Sequence, residues 1–287
     1  GLTDILENYA QIVEVKHPKT GKKKRTQVFP RYHQLDVVRQ ALADVRSHGV
    51  GRRYLIQHSA GSGKSNSIAW LSHQLIGVTG PGAQGRAVFD SVIVITDRRI
   101  LDDQIQKTIR QFMQVSATVG HAEHSGDLRR FIEQGRKIIV TTVQKFPWVL
   151  DEIGAVGDRR FAIVIDEAHS GQGGKTSAAM GKTLGKVAGE GEGGDDEALD
   201  AEDVVNAALE ARMAARKMLT NASYFAFTAT PKNKTLEMFG EALPADADGK
   251  VKHRPFHHYS MKQAVQERFI LDVLENFVPV DSYYRLV

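Results

Sequence analysis

Two octapeptides in this chain have the residues for phosphate chemistry. His58–Ser65 reads HSAGSGKS and His169–Thr176 reads HSGQGGKT. Each ends in Gly-Lys followed by a hydroxyl residue. That ending suits a loop whose backbone N–H groups face an anion, with the lysine on terminal phosphates and the hydroxyl on a divalent cation. Such a loop also needs a strand to deliver it and a helix whose N-terminus points at the anion.

The first copy has both. YLIQH reads as the strand, and KSNSIAWLSHQLI reads as the helix, with Ile68, Leu71 and Leu75 at core spacing. Gly61, Ser62, Gly63, Lys64 and Ser65 are therefore the expected phosphate loop, with Ser65 on Mg²⁺. His58 stands where the motif usually has its first glycine. The second copy follows Asp-Glu-Ala-His instead of a strand, and SAAMGKTLGKVAGEGEGG after it is too rich in glycine for a firm helix. Lys175 is not expected to touch nucleotide.

FAIVIDEAH places Asp166 and Glu167 at the tip of a buried strand, roughly a hundred residues after the loop, a usual spacing for such pairs. A carboxylate there can hold Mg²⁺ through water, and its neighbour can orient or deprotonate the attacking water. The alternative, that Asp-Glu only caps the next helix, ignores the phosphate loop upstream.

The elements that position these residues are legible as short apolar runs: RRYLIQH, SVIVIT, KIIVTT, FAIVID and SYFAFT. Continuous β-branched runs separated by helical stretches predict an α/β fold with a doubly wound, mostly parallel sheet flanked by helices. Ahead of them, YAQIVEV and RTQVF flank KHPKTGKKK, which has turn chemistry and predicts a hairpin. Residues 185–203 are expected to form a loop, being too polar to bury; Glu190–Asp203 alone holds eight acidic residues and no basic one.

At 287 residues the chain can bury a substantial core, and no apolar run is long enough to span a membrane. The N-terminus shows no secretory signal. Absence of cysteine excludes disulfides and thiolate metal sites. The net charge of +4 becomes a distinctly basic body once the acidic segment is set aside, as a polyanion-binding protein requires.

GSGKS, DEAH and FTATP resemble motifs I, II and III of superfamily 2 helicases and translocases. The resemblance implies a RecA-like P-loop NTPase lobe that uses ATP and Mg²⁺. It also implies that His169, Thr228 and Thr230 couple nucleotide state to nucleic-acid grip. RYHQ at Arg31–Gln34 resembles the upstream adenine-reading motif, with Gln34 on the base edge. A narrower resemblance rests on RYHQLDVVRQAL, ITDRRILDDQI, IIVTTVQKF, VIDEAHSGQGG, FAFTATP and YSMKQAVQERFILDVLENF. Together these look like the motor subunit of type I restriction–modification enzymes. Gln57, Ala60, Ser170 and Ala229 depart from that family's usual Trp, Gln, Arg and Gly.

This narrower resemblance implies a prokaryotic cytoplasmic motor that moves double-stranded DNA, with specificity and methyltransferase subunits as partners. Phosphate-binding groups are then expected in the loops after the strands: Arg98 and Arg99 after SVIVIT, and Thr142, Gln144 and Lys145 in and after KIIVTT. Cations, hydroxyls and amides suit a DNA backbone and carry no base information. The Glu14–Lys16 EVK stretch has a nuclease-like ending, but reads as ordinary alternating strand residues.

The expected organisation is an N-terminal hairpin or linker over 1–28, the first motor lobe over 29–245, and a linker toward a second lobe over 246–287. No Gln-x-x-Gly-Arg-x-x-Arg pattern follows Pro231, so a second lobe with its catalytic arginine is expected elsewhere. Two other readings stay open: a different superfamily 2 DNA or RNA helicase or remodeller, and a scaffold that binds ATP without hydrolysing it.

Overall fold

The computed structural model describes residues 1–16, 23–80, 85–96, 108–109, 119–122, 125–142, 149–150, 153–154, 159–166, 219–246 and 249–272. A short helix α1 (Leu2–Asn8) leads into an antiparallel pair, β1 (Gln11–Lys16) and β2 (Lys23–Val28), where the hairpin was expected. Glu14 lies opposite Arg25 in that ladder and Lys16 opposite Lys23. Tyr9, at the root of the pair, is buried, and its carbonyl accepts the indole N–H of Trp70 at 2.9 Å.

The rest is built on one sheet. Helix α2 (Tyr32–His48) precedes β3 (Arg53–His58), and α3 (Lys64–Leu75) follows it. Then come β4 (Ser91–Thr96), β5 (Val119–His121), α4 (Ser125–Glu133), β6 (Ile138–Thr142), β7 (Phe161–Ile165) and β8 (Ala222–Thr228). A last stretch adds α5 (Asn233–Phe239), β9 (Glu241–Ala242), β10 (His253–Arg254), β11 (His257–Tyr259) and α6 (Met261–Gln266). Seven strands form the main sheet in the order β11-β3-β8-β7-β4-β6-β5, and every neighbouring pair is parallel.

The strands at the centre are buried along almost their whole length, which is why they read as unbroken apolar runs. The apolar residues of each alternate between two clusters. Val92 and Val94 of β4 join α2 and α3 on one face, and Ile93 and Ile95 join α4 and α5 on the other. The register Ile56↔Phe227 and Leu55↔Ala226 locks β3 to β8, and the Tyr54 ring stacks on Phe225 at 4.5 Å.

The sheet runs on past residue 245, the expected end of the lobe. His257–Tyr259 pairs with Ile56–His58 and becomes the edge strand beside β3. The reason is physical: without β11, the edge of β3 would present unpaired backbone donors and acceptors. Among the described residues no helix is long and apolar enough to cross a membrane.

Candidate nucleotide site

All strands of the sheet point the same way, so the segments leaving their C-terminal ends share one edge. The loop after β3, Asp166 after β7 and the residues after β8 therefore converge. Adjacent strands lie about 4.8 Å apart, so β3 and β7, with β8 between them, present their ends about 10 Å apart. The chain leaves β3 and next enters the sheet at β4, beyond both β8 and β7. Crevices at such crossings are where open parallel sheets bind ligands.

The first Gly-Lys copy forms the strand–loop–helix unit its context predicts. Gly61 has φ of 74° and Gly63 of 81°, left-handed values that glycine adopts without steric cost. At Gly63 a Cβ would lie 2.5 Å from Gln34 Nε2, so only glycine fits. Gly63 is also the N-cap of α3, whose first N–H groups and dipole face the loop. Lys64 is 7% exposed, Ser62 is buried and Ser65 half-buried. Gly61 is exposed, with the Ile270 side chain close against it.

Gln34 is buried and ties the loop to α2. Its Oε1 accepts from the Arg31 N–H at 2.9 Å, closing the first turn of the helix. Its Nε2 donates to the Ser62 carbonyl at 3.2 Å and to the Gly63 carbonyl at 3.0 Å. An amide nitrogen carries two hydrogens, so both are committed to the loop. What the side chain can still offer a base edge is the second lone pair of Oε1.

Behind the loop lies a histidine cluster that sequence reasoning missed. His58 was read as a substitute for a loop glycine, yet it is the last residue of β3 and its side chain is fully buried. Its Nε2 lies 2.8 Å from His257 Nδ1, and His257 Nε2 lies 3.1 Å from Asp36 Oδ2. The carboxylate accepts from His257 Nε2–H, so His257 Nδ1 accepts from His58 Nε2–H. His33 donates from Nε2 to the Ser62 carbonyl at 2.9 Å and stacks on Tyr259 with centroids 3.7 Å apart. Tyr259 in turn gives its carbonyl to Ser59 N–H at 3.0 Å and its hydroxyl to Glu267.

Burial holds the His33, His58 and His257 rings below the usual imidazole range, and His58 is pushed down to about 2. Desolvation of the cation is the main cause; for His58 the neighbouring His257, His33 and Lys64 add repulsion. Burial and the acceptor Glu267 push the Tyr259 hydroxyl up to about 12. The available signal for this cluster was RYHQ and FHHYS, two histidine-bearing stretches far apart in sequence.

Asp166 directly follows β7, is 4% exposed, and its backbone N–H bonds to the Ile95 carbonyl at 2.8 Å. Thr228 is buried at the end of β8, level with Gln57 of β3, while Thr230 is exposed just beyond. Thr142 ends β6 and is half-buried. Glu167, His169, Lys175, Arg98, Arg99, Gln144, Lys145 and the acidic 185–203 stretch lie outside the described residues.

The donor set fits a nucleotide triphosphate with a hard divalent cation. A glycine-opened loop with a lysine and a helix N-terminus can surround phosphates. Mg²⁺ is usually held by one or two carboxylates together with phosphate oxygens, which one acidic strand end can serve. Among the described residues no cluster of three or more ligating side chains stands ready for a metal by itself.

Residues 33–277 match the SWI2/SNF2 ATPase family. Among solved structures, the chain is similar to the UvsW helicase from bacteriophage T4, at 15% identity and TM-score 0.41, covering 80% of this chain and 62% of that one. It is similar to the Hef helicase domain from Pyrococcus furiosus at 17% identity and TM-score 0.41, covering 71% and 33%. It is also similar to the Sulfolobus solfataricus SWI2/SNF2 ATPase core solved with double-stranded DNA, at 15% identity and TM-score 0.39, covering 71% and 32%. The chain thus spans between about a third and three fifths of these proteins. A search of curated protein sequences gave no match. With the match extending from the start of α2 to beyond α6, and the β3–α3 loop and Asp166 inside it, the chain belongs to the SWI2/SNF2 ATPase family.

Proposed function

We propose that this chain is an ATP-binding motor lobe of a double-stranded DNA translocase of the type I restriction kind, working with specificity and methyltransferase subunits. The observation that carries the reading is the glycine-opened loop between β3 and α3, with Asp166 two strands away on the same sheet edge. In this reading Lys64 neutralises the terminal phosphates, and the Ser65 hydroxyl and Asp166 carboxylate are the protein's oxygens toward Mg²⁺. Glu167 orients the attacking water, and Gln34 sets the loop and meets the base edge with Oε1.

In the same reading Thr228, at the sheet edge between the loop and Asp166, passes a shift at the phosphates to Thr230 and, with His169, to bound DNA. Arg98, Arg99, Thr142, Gln144 and Lys145 contact phosphates of the DNA backbone, without reading bases. The type I assignment rests on the DRRILDDQ and YSMKQAVQERFILDVL blocks.

The test is nucleotide-linked nucleic-acid binding. Fluorescence anisotropy with labelled duplex DNA and RNA of equal length, with and without Mg²⁺-ATP, should show tighter binding to DNA, indifference to its sequence, and an affinity that changes with ATP. Equal or tighter binding to RNA would favour a different superfamily 2 motor. DNA affinity unmoved by ATP would favour the scaffold.

A further inference from the structure

The turn after α6 reaches back to the phosphate loop. Arg268 has φ of 58°, the only described residue other than glycine in the left-handed region. Around it Phe269 N–H bonds to the Ala264 carbonyl and Arg268 N–H to the Val265 carbonyl, both at 2.9 Å. These two bonds, with a left-handed residue between helix and exit, are the Schellman arrangement that reverses a chain at a helix end. Glu267, in the same turn, accepts the Tyr259 hydroxyl at 2.8 Å, which fixes the turn against β11.

The reversal sets two apolar side chains beside the loop and its anchors. Ile270 packs against Gly61 so closely that a Cβ there would lie 2.8 Å from its Cγ2. The Phe269 ring lies under the Arg31 guanidinium, 4.1 Å from its carbon, and 6.2 Å from the His33 ring that bonds Ser62. Phe269 thus lies at the start of α2, against Arg31 and near His33, while its neighbour Ile270 touches the phosphate loop at Gly61. It remains 38% exposed.

A nucleotide whose phosphates occupy the loop must place its base one ribose away, toward an element adjoining both the loop and Gln34. We infer that Phe269 is the stacking platform for the base of the bound nucleotide, an inference that rests on the nucleotide reading of the site. Three features support it. The ring already stacks a planar cation, so its face accepts flat, electron-poor partners. Its neighbour Ile270 touches the loop at Gly61, which ties the turn that carries the ring to the phosphate loop. And both hydrogens of the Gln34 amide are spent on the loop, leaving stacking as the main means of holding a base.

The experiment compares Mg²⁺-ATP with Mg²⁺-tripolyphosphate, which offers the phosphates without a base, by isothermal titration. Alanine removal of a base-stacking aromatic costs about five- to 150-fold in affinity. Phe269→Ala should thus weaken ATP by at least about fivefold and leave tripolyphosphate unchanged, and Phe269→Trp should restore ATP. The ring is partly exposed, so the variants should fold, and a melting curve checks this. ATP affinity unchanged in Phe269→Ala would overturn the assignment. Equal loss of both ligands would also overturn it, because the ring would then be shaping the loop. A comparable loss of ATP in Tyr32→Ala or Phe29→Ala, with Phe269→Ala unaffected, would move the base to one of these exposed aromatics that flank Arg31 in sequence. If the unsubstituted chain binds neither ligand, the nucleotide site itself falls, a result distinct from the loss of stacking alone.

Discussion

Acidification should unfold this lobe through its buried histidines, and His58 sets the clearest magnitude. Its ring is fully buried between His33 on α2, Phe227 on β8, and His257 and Tyr259 on β11, with Lys64 adding positive charge nearby. Its Nδ1 has no hydrogen-bond partner among the described residues, so a second proton there would be buried without an acceptor. The folded-state pKa near 2 lies below the ordinary 6.5, so the unfolded chain binds a proton that the folded chain refuses.

Stability is therefore complete above about pH 6.5 and lost as pH falls below it. The loss is about 1.4 kcal/mol per pH unit for this one group until the folded ring itself titrates. Between pH 7 and pH 5 that amounts to about 2 kcal/mol, or roughly 4–8 °C in melting temperature for a domain of this size. His33 and His257, also held neutral by burial, act in the same direction. The assay is denaturant unfolding at half-unit pH steps for the native sequence and His58→Asn. The substitution costs stability at pH 7, but its pH slope should be shallower by about one proton. An equal slope in both proteins would refute the claim that His58 is held neutral.

Three further outcomes are expected. Gly63→Ala should reduce Mg²⁺-ATP affinity at least tenfold in titration and cost about 1–3 kcal/mol in denaturant unfolding, since the side chain meets both a left-handed φ and Gln34 Nε2. Arg268→Gly should raise stability by up to about 1 kcal/mol in the same assay, because glycine relieves the left-handed strain at that turn. The double variant Arg98→Ala, Arg99→Ala should weaken all duplex DNA sequences alike and lower the log–log salt slope by up to about two; an unchanged slope would return both residues to a solvated surface role.

The strand–loop–helix unit around the first Gly-Lys copy was legible because everything that makes it is local: apolar strand, glycines, lysine, then a periodic helix within some twenty residues. The five longest strands of the sheet were legible as well, since burial on both faces writes an unbroken apolar run. The two edge strands were not. Val119–His121 and His257–Tyr259 are three residues each, and the second carries two histidines. They are strands because their neighbours offer open edges, a property of the partner and not of the segment. Strand order was hidden for the same reason: nothing in SYFAFT says that it inserts between β3 and β7.

At the site, sequence named Gln34 but not its partners, which lie 28 and 29 residues away. It marked His58 as a departure from a motif, because spacing counts positions and does not see which way a strand's last side chain points. Phe269 and Ile270 stood inside the YSMKQAVQERFILDVLENF block with no role of their own. Their contact with Arg31 and Gly61 exists only after the Arg268 turn reverses the chain.

The proposed function requires that one of the two look-alike loops, and not the other, hold the nucleotide. Titration of Mg²⁺-ATP into the native chain, Lys64→Ala and Lys175→Ala measures this directly. The β3–loop–α3 geometry predicts that Lys64→Ala abolishes measurable binding, while Lys175→Ala stays within about threefold of the native affinity. Equal loss in the two variants, or full retention in Lys64→Ala, would contradict it.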